Sequence, residues 1–206
     1  MRKNQVFVGA LLLVVAVLAV GCAKPPQQES DGAKAAMTAA EQAEAPKYAA
    51  DAWDKAQQAM NAVNAELEAQ QAKFALFRSY TKSKQLIADA TNAANAAKDA
   101  AVAGKEKVKT DAKAAIDAAK ASLAAANTLF ADIEKCGRAK RAKEVKKDLE
   151  TVKGNLDSYQ ATVTDIDSKF TKEDFFGAKA AAETLKGQID PIAKDLEGIK
   201  TKFKCT

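Results

Sequence analysis

Apolar residues recur along most of this chain at alternating spacings of three and four, the period of a helix with one buried face. Ser30 or Asp31 is positioned to cap a first helix running to about Ala45, because Pro46 disfavours helix in the residue before it. Its inward face would be Ala33, Ala36, Met37, Ala40 and Ala43. A second helix carries Ala49, Trp53, Ala56, Met60, Val63 and Leu67 and ends near Gln70. The third stripe is much longer. It starts at Leu76 and Tyr80, runs through Ser83, Ile87, Ala90, Ala94, Ala97, Ala101, Gly104, Val108, Ala112, Ala115, Ala119, Leu123, Ala126 and Phe130, and ends at Ile133, with no proline inside it. The simplest reading is one helix of roughly 60 residues and 90 Å. A break at Gly104 is the alternative, since glycine costs about 1 kcal/mol against alanine in a helix interior.

Gly137 stops that helix. Val145, Leu149, Val152, Leu156, Tyr159, Val163, Ile166 and Phe170 then keep a heptad spacing, and so do Ala178, Ala182, Leu185, Ile189, Ile192, Leu196, Ile199 and Phe203. Thr171-Lys172-Glu173-Asp174 between them resembles a capping box, and matched seams across a short turn predict an antiparallel hairpin. Pro191 falls where the register continues unbroken, which predicts a kink with Asp190 as a local cap. If the long helix rises, the next descends and the last rises again, Cys136 and Cys205 arrive at one end, where a disulfide fits. Two free thiols are the alternative. The fold class expected is therefore all-α: an elongated antiparallel bundle or coiled coil in which one long spine helix links two three-helix units, an Ala-rich one over 31–104 and a C-terminal bundle over 105–206.

Composition agrees and removes chemistry. About a quarter of the 206 residues are alanine, a bias found in long helices. There is no histidine, so Ser-His-Asp and Cys-His catalysis and every histidine-bearing zinc site are excluded. No paired carboxylate placement stands out from solvated faces. No reaction, cofactor or metal is expected, and the chain reads as non-enzymatic.

The N-terminus carries an address. Arg2 and Lys3 precede an apolar run from Val6 to Val20, and small Gly21 stands before Cys22, the layout of an export signal. A transmembrane anchor is the competing interpretation, but the run is short of the roughly 20 apolar residues a span needs. Leu18-Ala19-Val20-Gly21-Cys22 resembles the lipobox of bacterial lipoproteins, although Ala19 stands where that motif prefers leucine. The resemblance implies loss of residues 1–21, lipid on Cys22 and a tether over 22–30 that Pro25 and Pro26 keep from being helical. With Ala23 after the lipidated cysteine, it implies an outer-membrane anchor facing the periplasm in a cell with two membranes. Loss of Arg2 and Lys3 lowers the formal charge from +5 by two, and the remaining bases are interspersed with acids. Nucleic acid is therefore a poor candidate partner.

Ala43-Glu44-Ala45-Pro46-Lys47-Tyr48-Ala49, followed by Trp53, Ala56, Ala59 and an Ala-rich helix to about Ala103, resembles a bacterial family of Ala-rich, tetratricopeptide-like lipoproteins, some of which precede OmpA-type domains. Tyr48-Ala49-Ala50 and Gln70-Gln71 depart from that pattern. The likeness implies an architecture and an address, with no catalytic residues to carry over. Two surface features remain. Lys135, Arg138, Lys140, Arg141, Lys143, Lys146 and Lys147 cluster at a helix corner, and Lys200, Lys202 and Lys204 should lie beside them. A solvated bundle end explains most of these, since lysine at helix C-termini complements the macrodipole. Arg138, Lys140 and Arg141 would open the fourth helix, where the dipole opposes them, so a surface for an anionic envelope protein or peptidoglycan is the sharper reading. Tyr48, Trp53, Phe74, Phe77 and Tyr80 could form a ligand box, but at helical spacing they are expected in the N-terminal core. The function expected is a structural or scaffolding envelope lipoprotein; the alternative is a tetratricopeptide-like binding module.

Overall fold

A computed structural model describes residues 23–205. The signal segment 1–21 and the lipidation site Cys22 lie outside them. Among the described residues every regular element is helical: α1 (Gln27–Gln42), α2 (Ala45–Tyr48), α3 (Ala50–Gln71), a 3-10 turn (Ala75–Phe77), α4 (Thr81–Lys135), α5 (Gly137–Lys140), α6 (Lys143–Thr171) and α7 (Phe175–Phe203). The chain is all-α. It divides into two compact units, one ending at Gly104 and the other beginning at Lys105.

In the first unit α1, α3 and the start of α4 pack around a seam of small residues. Ala40, Ala45, Ala56, Ala94, Ala97 and Ala101 are buried together, and Ala33, Met60, Val63, Ile87 and Ala90 continue the core. Each alanine buries about three methylenes less than a leucine would, roughly 2 kcal/mol of hydrophobic stabilisation, so such a seam holds only if backbones approach closely. Gly104 shows how closely. A Cβ built there would run into the Tyr48 carbonyl, with the Tyr48 carbonyl carbon at 3.2 Å and its Cβ at 3.4 Å. The glycine fits an approach to α2 and does not break α4, which is helical on both sides of it.

Three expectations for this unit are corrected. Helix α1 begins behind Pro26, and Ser30 is buried within it and is not its cap. It ends at Gln42, Glu44 takes a left-handed φ of 61°, and Pro46 falls in the first turn of α2, where its missing N–H would have had no helical partner. Leu76 is not part of α4, which begins five residues later.

The second unit packs the remainder of α4 against α6 and α7. Ile116, Leu123, Phe130 and Ile133 meet Val145, Leu149, Leu156, Val163 and Ile166 from α6 and Ala182, Leu185, Ile189 and Leu196 from α7. Ile116 is buried here, whereas the expected Ala115 only borders the core. Helices α4 and α7 lie parallel with a fixed register. Lys179 pairs with Asp111 (3.4 Å), Ser122 donates to Asp190 (2.5 Å) and Lys200 pairs with Asp132 (2.6 Å), each across a separation of 68 residues. An offset one residue longer, 69, brings Cys136 to Cys205, and they form a disulfide with Cα atoms 5.4 Å apart.

Two local expectations also change. Thr171 ends α6, its hydroxyl donating back to the Asp167 carbonyl (2.8 Å), and Asp174 caps α7 by accepting from the Gly177 N–H (3.1 Å). Pro191 stays inside α7, but Asp190 is not a cap, because its carboxylate is taken by Ser122 and Lys186.

Candidate functional site

The disulfide joins the two halves of the basic cluster. Lys135 precedes Cys136 and Lys204 precedes Cys205, so the closed bridge places them side by side. Lys135, Arg138, Lys140, Arg141, Lys143, Lys146, Lys147, Lys202 and Lys204 are all exposed, and Lys200 is half-buried. Among the described residues Lys200 is the member held in an ion pair, with Asp132. Its hydrogen bond, its charge and the charge of Lys135 hold the Asp132 carboxyl below its ordinary value of 3.8. Lys202 lies 5.4 Å from the Phe203 ring centre, a cation–π contact.

The helix dipole does not oppose Arg138, Lys140 and Arg141 as expected. Arg138 and Lys140 belong to the four-residue α5, and Arg141 and Ala142 separate it from α6. They therefore do not open the long helix. Lys143 and Lys146 do, accompanied by Glu144. Beside them is a cleft of about 380 Å³ whose lining mixes Lys140, Lys146 and Lys153 with Glu134 and Glu150 over Phe130 and Leu149. Such a lining suits an extended chain with both apolar and charged groups better than a compact anion.

The aromatic set divides. Tyr80 is buried, and Tyr48 and Trp53 pack against the alanine core. Phe74 and Phe77 contradict the core expectation: with Leu76 they are 70%, 76% and 70% exposed. Their rings stand 6.4 Å apart at the corner between α3 and α4. Spacing of three read as a helix face, but the backbone makes a single 3-10 turn, with the Phe77 N–H donating to the Phe74 carbonyl at 2.9 Å.

That corner is fixed by polar bonds. Arg78 donates from Nε to the Lys73 carbonyl (3.0 Å) and from Nη2 to the Gln71 carbonyl (2.9 Å). Buried Gln70 accepts from the Ser79 N–H (3.0 Å) and donates to Glu66 (2.7 Å). Lys82 reaches the second Glu66 oxygen at 2.7 Å, and hydrogen bonds from Lys82 and Gln70 lower the Glu66 pKa. Gln70 was legible only as the end of a helix; its role as the pin of the corner was not.

Among the described residues no group of His, Cys, Asp and Glu side chains is arranged to hold a metal ion, and no helix is long and apolar enough to cross a membrane. No protein family, curated protein or solved structure matches the chain.

Proposed function

We propose that this chain is a lipid-anchored protein of the bacterial cell envelope with a structural or scaffolding role. The observation that carries the reading is the Arg2-Lys3, Val6 to Val20, Gly21-Cys22 succession. Two or three acyl chains on Cys22 would anchor stably where one alone binds marginally. The packing fits a mechanical role: most of the large apolar residues of the second unit are used in helix contacts, and the disulfide ties its last helix to α4. Intact mass of the native protein should show lipid on Cys22 and loss of residues 1–21. A soluble chain that retains those residues would refute it.

A second reading is favoured by the density and exposure of the basic cluster, in which Lys200 is the member paired among the described residues. In it the corner docks on an anionic envelope protein or on peptidoglycan carboxylates, drawn by charge. Reversing Arg138, Lys140 and Arg141 to Glu leaves the core untouched, so the fold should survive. Envelope co-sedimentation should then fall, and the wild-type association should weaken as salt rises, because exposed charges are screened over about 8 to 10 Å at physiological ionic strength. Unchanged association at every salt concentration would leave the corner as a solvated end.

A further inference from the structure

The Phe74–Phe77 turn exposes two phenylalanines and a leucine in a unit whose own core is mostly alanine. Turning two phenylalanines and a leucine outward is unfavourable in water, and contiguous exposed apolar side chains mark interaction surfaces. The turn is also built to keep them outward. Arg78, Gln70 and Ser79 hold its backbone through the bonds described above, so the apolar side chains contribute only to whatever lies outside.

Its position names the occupant. Helix α3 ends and helices α1 and α4 begin at this end of the unit, as the Glu29 to Lys84 ion pair (3.3 Å) across their first turns shows. The chain coming from Cys22 enters here as well. Cys22 and Gln27 are five residues apart in sequence, and fully extended chain spans at most about 3.3 to 3.6 Å per residue, roughly 18 Å in all. A lipid on Cys22 would therefore hold the start of α1 within roughly 18 Å of the bilayer, which leaves this end of the unit, and the turn on it, in reach of the surface. The charge pattern suits that surface too. Lys73 and Arg78 flank the exposed side chains with no Asp or Glu between residues 69 and 88, while Lys82 and Lys84 are paired with Glu66 and Glu29; the two bases beside the turn suit anionic headgroups. Aromatic side chains with flanking bases favour the interface over either water or the hydrocarbon centre.

We propose that the Phe74–Phe77 turn is a second membrane contact, inserting Phe74, Leu76 and Phe77 among the headgroups of the bilayer that holds the Cys22 lipid. The inference rests on the reading of Cys22 as an anchor and adds to it a function: the lipid supplies the attachment, and the turn sets which end of the N-terminal unit faces the membrane. A tether without it would leave that unit free to rotate.

The test uses the full chain, exported and lipidated in a bacterial host. Phe77→Trp in a Trp53→Phe background places the chain's one tryptophan on the turn, at an exposed position where the fold should tolerate it. The protein is reconstituted in phosphatidylcholine and phosphatidylglycerol vesicles with acyl chains brominated near the headgroup. The tryptophan at 77 should emit to the blue of its value in water and lose intensity in brominated vesicles. Trp53 of the otherwise native chain, about 27 Å along α3 from its end, should lose none. If the protein floats with the vesicles but the tryptophan at 77 is not quenched, the turn does not touch lipid and the proposal is overturned while the anchor stands. A blue-shifted emission that bromine does not quench also overturns it, in favour of a second copy or another protein over the turn. If the native chain bears no lipid on Cys22 and does not float, the anchor reading and this inference fall together.

Discussion

Gly104→Ala sets two physical effects against each other, and their sum has a definite sign. In an open helix the change should stabilise by about 1 kcal/mol, because alanine restricts the unfolded chain and favours helix. At position 104 the added Cβ meets the Tyr48 carbonyl, with that residue's carbonyl carbon and Cβ close behind. The carbonyl oxygen and carbon are backbone atoms of a short helix bounded by the left-handed Glu44, and the Cβ is fixed to that backbone, so none can swing aside as the end of a long side chain would. Overpacking of this kind costs typically 1 to 3 kcal/mol. Against a propensity gain of about 1, the net expectation is a loss of up to about 2 kcal/mol, or several degrees in Tm for a unit of roughly 100 residues. The assay separates the units, since Trp53 is the chain's one tryptophan and packs in the first of them. Its fluorescence during urea unfolding reads that unit. Gly154→Ala and Gly187→Ala are the controls: both positions are helical with nothing within 4 Å of a built Cβ, and both should stabilise the second unit by about 0.5 to 1 kcal/mol in far-UV circular dichroism. A Gly104→Ala chain as stable as the controls predict would refute the close approach of α2 to α4.

Asp174→Ala removes the cap of α7 and leaves the Gly177 N–H without its acceptor; thermal unfolding should show a loss of about 1 kcal/mol in the second unit. Cys136→Ser with Cys205→Ser opens a loop spanning 69 residues, which in the chain-entropy model should cost about 4 kcal/mol in urea titrations, confined to the second unit. Acidification should weaken the α4 to α7 contact: Asp132 has its pKa lowered in the folded chain, so its contribution is present above the unfolded-state value and is lost as pH falls through the folded one. Asp132→Asn should flatten that part of the stability profile below about pH 4, and a profile identical to wild type would refute the linkage.

Much of the fold was legible because helix packing repeats. A seam such as Val145, Leu149, Val152, Leu156, Tyr159, Val163 and Ile166 carries its evidence at every third or fourth position, and one misplaced residue does not alter the pattern. The meeting of Cys136 and Cys205 followed from counting directions up and down a bundle. The fixed offset of 68 residues between α4 and α7, carried by Lys179, Ser122 and Lys200, was not visible, since each partner sits on a face that periodicity treats as solvated. Helix ends were harder still. Ser30, Thr171 and Asp174 are all chemically fit to cap, and the structure buries the first, uses the second to close a helix and lets only the third cap.

The candidate sites were less legible because a shared apolar face need not point inward. Periodicity detects apolar residues that share a face, then assumes that the face is inward. Phe74, Phe77 and Tyr80 satisfy the spacing equally, and Leu76 stands four residues before Tyr80, so the stripe of α4 extends backward without a flaw. What separates them is a polar side chain: Gln70 accepts the Ser79 N–H and Arg78 caps two carbonyls, which ends α3 and turns the chain before the stripe resumes. Tyr80 then falls inside and Phe74, Leu76 and Phe77 fall outside. Surfaces made of charge are misread in the opposite direction. Arg138, Lys140 and Arg141 defy a helix dipole only if α5 and α6 are one helix; as two, they leave the cluster without that conflict, and only its density and exposure speak for a partner. In both places the information about function lies in which residues the fold declines to bury or pair, and that is decided by tertiary contacts a single sequence does not display.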